Sequence, residues 1–127
     1  MRSFVASRLE YGRLFLVGDA GHIVPPTGAK GLNSAISDVT LLERALVDHF
    51  AGDDARLTGY GATALDRQWR TQQFSQWMTE MLHRRPEGDS SAFDYRSQLG
   101  ELAYVTGSTY AKQMLAEQYT GLKLEGA

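Results

Sequence analysis

The chain of 127 residues contains no cysteine, which excludes disulfide bonds and thiolate metal sites. It also has no run of basic residues, and its net charge is −2, so neither nucleic acid nor an anionic membrane surface is an expected partner. No apolar stretch approaches transmembrane length, and the amino terminus lacks a charged-then-apolar signal pattern. These absences lead us to expect a cytoplasmic protein with no membrane partner.

One run, residues 12–39, carries most of the residues that can serve a function, and its sequence is GRLFLVGDAGHIVPPTGAKGLNSAISDV. Residues 13–17 are mostly apolar β-formers followed by Gly18 and Asp19, which predicts a buried strand that ends in a turn. Asp19 then stands at the carboxyl end of a strand, where open α/β sheets hold their ligands. A carboxylate at that place can accept hydrogen bonds from ligand hydroxyl groups.

The second half of this run predicts a loop that leads into a helix. Pro25 and Pro26 fix an extended path, while Gly28 and Gly31 permit positive φ and a close approach of a ligand to the main chain. After Gly31, apolar residues recur at spacings of three and four and predict a helix to about residue 50 with one apolar stripe, made of Leu32, Ala35, Ile36, Val39, Leu42, Ala45 and Leu46. A glycine-rich loop at a helix amino end suits a polar or anionic group on a flat ligand. An ordinary strand-loop-helix connection, with Asp19 as a capping residue, is the alternative.

The rest of the chain is predicted to be helical. Asp53 and Asp54 are placed to cap a helix over residues 55–84, in which Trp69 and Trp77 are expected to pack in a core. A loop over residues 84–89, a helix from Ser90 or Ser91 to about residue 105, and a helix over residues 109–118 follow. The fold class is therefore mainly α, with one or two short strands and about four helices. Residues 1–50 are predicted to form a strand-loop-helix segment, and residues 51–127 a helical region that is a candidate dimer interface. The three histidines lack ligand spacing, so no metal site is expected.

Residues 12–39 closely resemble the second flavin-binding motif of the FAD-dependent aromatic hydroxylases. The resemblance continues through FSQWMT at residues 74–79, LHR at residues 82–84 and EQYTGL at residues 117–122. It implies the carboxyl-terminal part of an α/β, Rossmann-like FAD-binding monooxygenase. It further implies FAD as cofactor, NADPH and O₂ as co-substrates, a 4-hydroxybenzoate-like aromatic acid as substrate and a homodimer.

The resemblance also implies roles for individual residues. Asp19 would bind the ribityl chain of FAD, and the carbonyl of Pro26 would face the phenolic hydroxyl of the substrate. Tyr119 would belong to a proton relay that deprotonates the phenol, although a core tyrosine is the alternative. Main-chain N–H groups of Leu32 and Asn33, at the start of the helix, would meet the pyrimidine edge of the flavin. For Lys30, a solvated surface lysine is the alternative. The residues that would surround the flavin ring system are Gly28, Ala29, Lys30, Gly31, Leu32 and Asn33.

The chain departs from the family in what it lacks. The family begins with a βαβ unit that has a G-x-G-x-x-G turn, and this sequence contains none, so we expect the carboxyl-terminal third of a larger enzyme without hydroxylase activity of its own. The family also usually has alanine where this chain has Gly21. Two other functions stay open: a non-catalytic helical dimerisation module, and a flavin hydroxylase that acts on another phenolic substrate.

Overall fold

A computed structural model describes residues 2–83, 91–121 and 123 of the chain. The elements confirm the mainly α class: four two-residue strands precede four helices, and a short 3₁₀ turn (Gly18–Ala20) separates the third and fourth strands. The strands are β1 (Phe4–Val5), β2 (Glu10–Tyr11), β3 (Leu14–Phe15) and β4 (His22–Ile23), and the helices are α1 (Gly31–Phe50), α2 (Ala55–Leu82), α3 (Ser91–Gly107) and α4 (Thr109–Thr120). The loop predicted over residues 84–89, the capping role of Ser90 and the end of the resemblance at Leu122 lie outside the described residues.

The chain divides into two compact units, Met1–Ser75 and Gln76–Ala127, called here the first and the second unit. In the first unit the strands form two antiparallel pairs, β1 with β4 and β2 with β3. Phe4 lies opposite Ile23 and Val5 opposite His22, and the Ala6 N–H donates to the Gly21 carbonyl at 2.8 Å. The two pairs therefore hold the 3₁₀ turn between them.

The core of the first unit forms where α2 meets the β2–β3 hairpin. Leu9, Tyr60 and Ala64 are its fully buried members. The Tyr60 hydroxyl donates to the Leu16 carbonyl at 2.7 Å, and the Gly61 N–H donates to a Glu10 carboxylate oxygen at 2.9 Å. The strand predicted over residues 13–17 is present but covers only Leu14 and Phe15, and it is not fully buried, because its Leu14 side chain is 57% exposed.

Helix α1 has the predicted bounds, but its buried face differs from the predicted stripe. Leu32, Ile36 and Val39 are exposed, whereas Asp38 and Ala45 are buried. Asp38 takes the centre of the buried face because its carboxylate meets two hydrogen-bond donors there. The apolar stripe is thus only partly covered by this chain.

Helix α2 begins at Ala55, as predicted from the two aspartates that precede it. Asp53 Oδ1 accepts the Ala55 N–H at 2.9 Å. Within the first unit it buries a row at four-residue spacing, made of Tyr60, Ala64, Gln68 and Gln72. Trp69 lies one residue, or about 100° around the helix, from that row. Its side chain is 57% exposed, so the prediction of core packing is wrong for Trp69.

The second unit has its own small core of Met81, Val105 and Ala111, with Trp77 packed against it as predicted. The Trp77 indole N–H donates to Glu101 at 2.6 Å. Gln98 Nε2 lies 2.8–3.0 Å from three carbonyl oxygens near the end of α2. The break between α3 and α4 is a single residue, Ser108, whose hydroxyl caps α4 by accepting the Ala111 N–H.

Candidate functional site

The turn that carries Asp19 is anchored to α1 by one buried carboxylate. Asp38 Oδ2 accepts the Gly18 N–H at 3.0 Å and also lies 2.6 Å from His22 Nε2. Gly18 has a φ of +56°, and a Cβ added there would lie 3.0 Å from the Ala35 Cβ. The turn therefore lies directly against α1, and the Asp19 side chain itself is exposed.

The loop between β4 and α1 folds into a tight turn at its glycine. The Ala29 N–H donates to the Pro26 carbonyl at 3.0 Å, and Gly28 and Ala29 have φ values of +89° and +52°. The φ of Gly28 favours glycine, and a Cβ added there would also crowd the Phe74 ring at 3.2 Å. A carbonyl oxygen has two lone pairs, so Pro26 keeps one acceptor position beyond this turn.

Lys30 is buried at the end of this loop, with 8% of its surface exposed, so the alternative of a solvated surface lysine is wrong. Its ammonium group lies 5.3 Å from the centroid of the buried Phe74 ring. Burial lowers the pKa of Lys30 below its ordinary value of 10.5, because the charged form loses hydration. The loop thus holds a positive charge close to the start of α1.

This lowered pKa predicts a pH-dependent difference between the wild-type chain and Lys30→Met. Below pH 10.5 the unfolded chain binds more protons at Lys30 than the folded chain, so the wild type gains stability as the pH rises. Relative to Lys30→Met, the urea midpoint of the wild type should therefore increase from pH 7 to pH 10. The exposed Lys112 on α4 offers a matched control, Lys112→Met. A difference between wild type and Lys30→Met that does not change with pH would contradict the prediction.

The amino end of α1 is open. Lys30 occupies the N-cap position without a side-chain cap, and the first bond into the helix runs from the Ser34 N–H to the Lys30 carbonyl at 2.8 Å. The N–H groups of the first turn, which includes Leu32 and Asn33, have no partner within a helix and carry the positive end of its dipole. Both of these residues are exposed, so a ligand can reach this turn.

The donor set suits a flat ligand with an electron-rich edge. It consists of the first-turn N–H groups, and a Cβ added to Gly31 would meet nothing within 4 Å. Thr27 Oγ1 is buried without a hydrogen-bond partner among the residues that the structure describes. The residues present therefore fit the pyrimidine edge of a flavin, which gains negative charge on reduction.

The predicted site residues fall into both units. Asp19, Pro26, Gly28, Lys30, Gly31, Leu32 and Asn33 belong to the first unit, and all lie on the turn, the loop or the first turn of α1. Tyr119 belongs to the second unit, on α4, where its side chain is 56% exposed. The alternative of a core tyrosine is therefore wrong for this chain.

Sequence reasoning missed Asp38, His22 and Phe74, although one signal pointed to Asp38. This residue recurs with Ala35, Leu42 and Ala45 at helical spacing, and a carboxylate on an apolar face needs a buried donor. His22 and Phe74 gave no comparable signal. Among the described residues (2–83, 91–121 and 123), no group of three or more histidine, aspartate or glutamate side chains is arranged to hold a metal ion.

One apolar groove of about 480 Å³ lies elsewhere on the first unit and contains none of the predicted site residues. It is lined by Val17, Val39, Leu42, Glu43, Leu46, Val47 and Phe50. The described helices include none that is both long and apolar enough to cross a membrane.

Residues 1–75 match the family described as FAD binding domain, and this segment ends where the first unit ends. The chain belongs to this FAD-binding family. Across 98% of its length it is 46% identical to p-hydroxybenzoate hydroxylase from Acinetobacter baylyi, and it spans 31% of that protein. The resemblance to flavin hydroxylases noted from the motifs is thereby confirmed.

Two further relatives match a shorter part of this FAD-binding chain. Tetracenomycin B2 monooxygenase-dioxygenase from Streptomyces olivaceus is 44% identical over 47% of the chain, which covers 12% of that protein. 4-Methyl-5-nitrocatechol 5-monooxygenase from a Burkholderia species is 42% identical over 46% of the chain, which covers 11% of that protein. The chain thus spans about a third or less of each of these relatives.

Proposed function

We propose that the chain supplies part of the FAD site of an aromatic monooxygenase that converts 4-hydroxybenzoate to 3,4-dihydroxybenzoate. The overall reaction consumes O₂, NADPH and a proton, and it releases NADP⁺ and water. When bound, FAD supplies the redox chemistry between the nicotinamide and O₂. One observation carries the choice of substrate: the match to p-hydroxybenzoate hydroxylase extends over 98% of the chain, beyond the segment of residues 1–75 that matches the FAD-binding family.

Within this proposal the first unit binds and orients the flavin. The exposed Asp19 carboxylate accepts hydrogen bonds from ribityl hydroxyls, and the N–H groups of Leu32 and Asn33 donate to the pyrimidine edge. Gly31 leaves open space for the ring system, Gly28 supplies the positive-φ turn that leads to it, and the buried Lys30 adds positive charge beside it. These groups are fixed before the ligand arrives, so the negative charge of a reduced flavin is stabilised without reorganisation.

Two residues would act on the substrate. The Pro26 carbonyl, which already accepts the Ala29 N–H, offers its second lone pair to the phenolic hydroxyl. Tyr119 would pass on the phenolic proton, since a tyrosine hydroxyl both donates and accepts a hydrogen bond.

The matches to tetracenomycin and nitrocatechol monooxygenases favour a second candidate, a flavin hydroxylase for another phenolic substrate. Those matches cover less than half of the chain, in contrast to the match with p-hydroxybenzoate hydroxylase. A panel of phenolic acids, tested for substrate-dependent NADPH oxidation by the full-length protein, distinguishes the two. The same assay with NADH tests the choice of nicotinamide.

The proposal also includes a homodimer in the cytoplasm. Its support is the second unit, where aromatic and apolar side chains of α3 and α4 are exposed, among them Phe93, Tyr104 and Tyr110. Sedimentation of the purified chain over a range of concentrations tests this assembly, and a monomer at every concentration would contradict it.

Titration of the purified chain with FAD, followed by flavin fluorescence and the visible spectrum, tests the flavin site. We expect weak but saturable binding that Asp19→Ala weakens by about 10- to 100-fold, because a hydrogen bond to a charged group contributes about 1.5–3 kcal/mol. Asp66→Ala is the matched control, since Asp66 is an exposed carboxylate on α2 that pairs with the exposed Arg70 one turn away. An unchanged affinity in Asp19→Ala would contradict the role of Asp19. Absence of binding by the wild-type chain would contradict a flavin site in this chain.

A further inference from the structure

The buried pair Asp38 and His22 has no role in the proposed flavin contacts, yet it is the most enclosed ionisable pair in the described part of the chain. The two residues are 2% and 1% exposed. One oxygen, Asp38 Oδ2, receives both the His22 ring nitrogen at 2.6 Å and the Gly18 N–H at 3.0 Å. Removing a carboxylate from water is costly unless hydrogen-bond donors surround it. The two donors therefore fix both the position and the orientation of the Asp38 carboxylate.

The pair connects the two parts of the proposed flavin site. Gly18 directly precedes Asp19, the proposed ribityl contact, and Asp38 lies on the same rigid helix as Leu32 and Asn33. Asp38 lies five positions after Asn33, which is about 7.5 Å along the axis of α1. The Asp38 carboxylate therefore sets where the Asp19 turn lies relative to the amino end of α1.

His22 is held from the opposite side by the sheet. It pairs with Val5 across β1 and β4, and the neighbouring Gly21 carbonyl accepts the Ala6 N–H at 2.8 Å. A Cβ added to Gly21 would lie 2.5 Å from Leu9 Cδ2, so the chain passes close to the core at this point. The strands thus present the imidazole to Asp38, and the carboxylate is fixed between the sheet and the turn.

We infer that Asp38 and His22 are positioning residues. They hold the Gly18–Asp19 turn at a fixed place relative to α1, so that Asp19 can bind the ribityl chain while the first turn of α1 binds the pyrimidine edge of the same flavin. This inference rests on the proposed function for its flavin part only. The attachment of the turn to α1 is a property of the chain without ligand. Asp38 acts through Gly18 and His22, and it does not itself touch the flavin.

The first part of the test measures the turn without flavin. Amide hydrogen exchange of Gly18 and Asp19 is compared by NMR in the wild-type chain, in Asp38→Asn and in Asp48→Asn. Asp48 is a matched control, because it is a carboxylate on the same helix that pairs with the exposed Arg56 at 3.0 Å. Asp38→Asn keeps the size of the side chain but replaces a charged acceptor, so we expect the Gly18 amide to exchange about tenfold faster, with no change in Asp48→Asn. Equal Gly18 exchange in all three chains would overturn the inference.

The second part measures FAD affinity at a temperature where circular dichroism shows all three chains folded. We expect Asp38→Asn to weaken binding about tenfold and to change the visible-region circular dichroism of bound flavin, while Asp48→Asn does neither. A loosened turn with unchanged affinity and spectrum would mean that the pair only stabilises the fold, and would overturn its positioning role. If the wild-type chain binds no FAD, the proposed function fails in this chain, whereas the exchange measurement still decides whether the pair holds the turn.

Discussion

Tyr60→Ala is expected to lower the free energy of unfolding of the first unit by about 3–5 kcal/mol, the cost typical of truncating a large buried aromatic side chain. Tyr60 is 2% exposed, packs edge-on against Phe15 with ring centroids 5.8 Å apart, and donates to the Leu16 carbonyl. A segment of 75 residues is stabilised by about 4–11 kcal/mol in total, so this loss removes a large share of its stability. Urea unfolding followed by the NMR signal of the buried His22 ring measures the effect in the first unit.

The same position separates packing from hydrogen bonding. Tyr60→Phe keeps the ring and is expected to cost about 1–2 kcal/mol at neutral pH, because the Leu16 carbonyl loses its donor. Burial first, and then the carboxylates of Asp38 and Glu10, raise the pKa of Tyr60 above 10.0. The folded chain therefore holds this proton more tightly than the unfolded chain, and the wild type should lose its advantage over Tyr60→Phe as the pH rises above 10. Tyr110→Ala, at a tyrosine that is 83% exposed, is the control, and a comparable loss there would refute the argument.

Gly18→Ala is expected to destabilise the first unit by about 2–5 kcal/mol. A residue with a side chain pays about 1–2 kcal/mol in the left-handed conformation that Gly18 adopts, and overpacking adds about 1–3 kcal/mol. The overpacking arises because the new Cβ would lie 3.0 Å from the Cβ of Ala35 on the rigid α1. Urea unfolding monitored at His22 gives the loss, and FAD titration of the same variant should show weaker binding, since the turn is forced away from α1.

Gly12→Ala provides the matched comparison for Gly18→Ala. Gly12 has a φ of +59°, close to that of Gly18, but a Cβ added there meets nothing within 4 Å. Its alanine variant should therefore cost only about 1–2 kcal/mol. Ala35→Gly costs about 1 kcal/mol alone as a helix substitution, yet combined with Gly18→Ala it should restore part of the loss. Additive effects of Gly18→Ala and Ala35→Gly would show that the contact with Ala35 is not the cause.

Helix positions were predictable because their signals are local. Gly31 begins α1 after the glycine-rich loop, the Asp53 carboxylate caps α2, and Ser108 separates α3 from α4. Each of these signals acts within a few residues of the helix end that it sets. Gly28 was likewise singled out by a local pattern, and its positive φ confirms the expected freedom of that position, whereas Lys30 was named only through the family resemblance.

The buried faces were less predictable because they depend on distant partners. The predicted stripe on α1 treated Asp38 as a polar residue, although His22 and Gly18 make it the centre of the buried face. Trp69 was expected in a core, but the buried row of α2 contains its neighbour Gln68, so Trp69 lies on a more exposed face. The side-chain oxygen of Gln68 accepts a hydrogen bond from the Ser34 hydroxyl. Hydrophobic periodicity assigns polar residues to solvent and cannot identify a partner 16 or 34 residues away.

The compact units have other bounds than the segments predicted from the sequence. Residue 50 ends α1 and was the predicted boundary, whereas the structure divides after Ser75, within the continuous helix α2. The first part of α2 belongs with the strands because Tyr60 and Ala64 complete their core. No composition change or glycine marks residue 75. A predicted role of residues 51–127 as a dimer interface therefore concerns two structurally different segments.

The hydrogen bonds from α2 to the hairpin join residues that are far apart in the sequence, which bears on how fast the first unit can fold. Tyr60 and Leu16 are 44 residues apart, and Gly61 and Glu10 are 51 residues apart. A loop of this length costs chain entropy before any contact compensates for it, so such contacts slow folding relative to local ones. During synthesis the hairpin and α1 are made before α2. Leu9 therefore lacks its core contact with Tyr60 until residue 60 has been synthesised. A chain stalled before residue 60 would therefore present an unfinished core to chaperones and proteases.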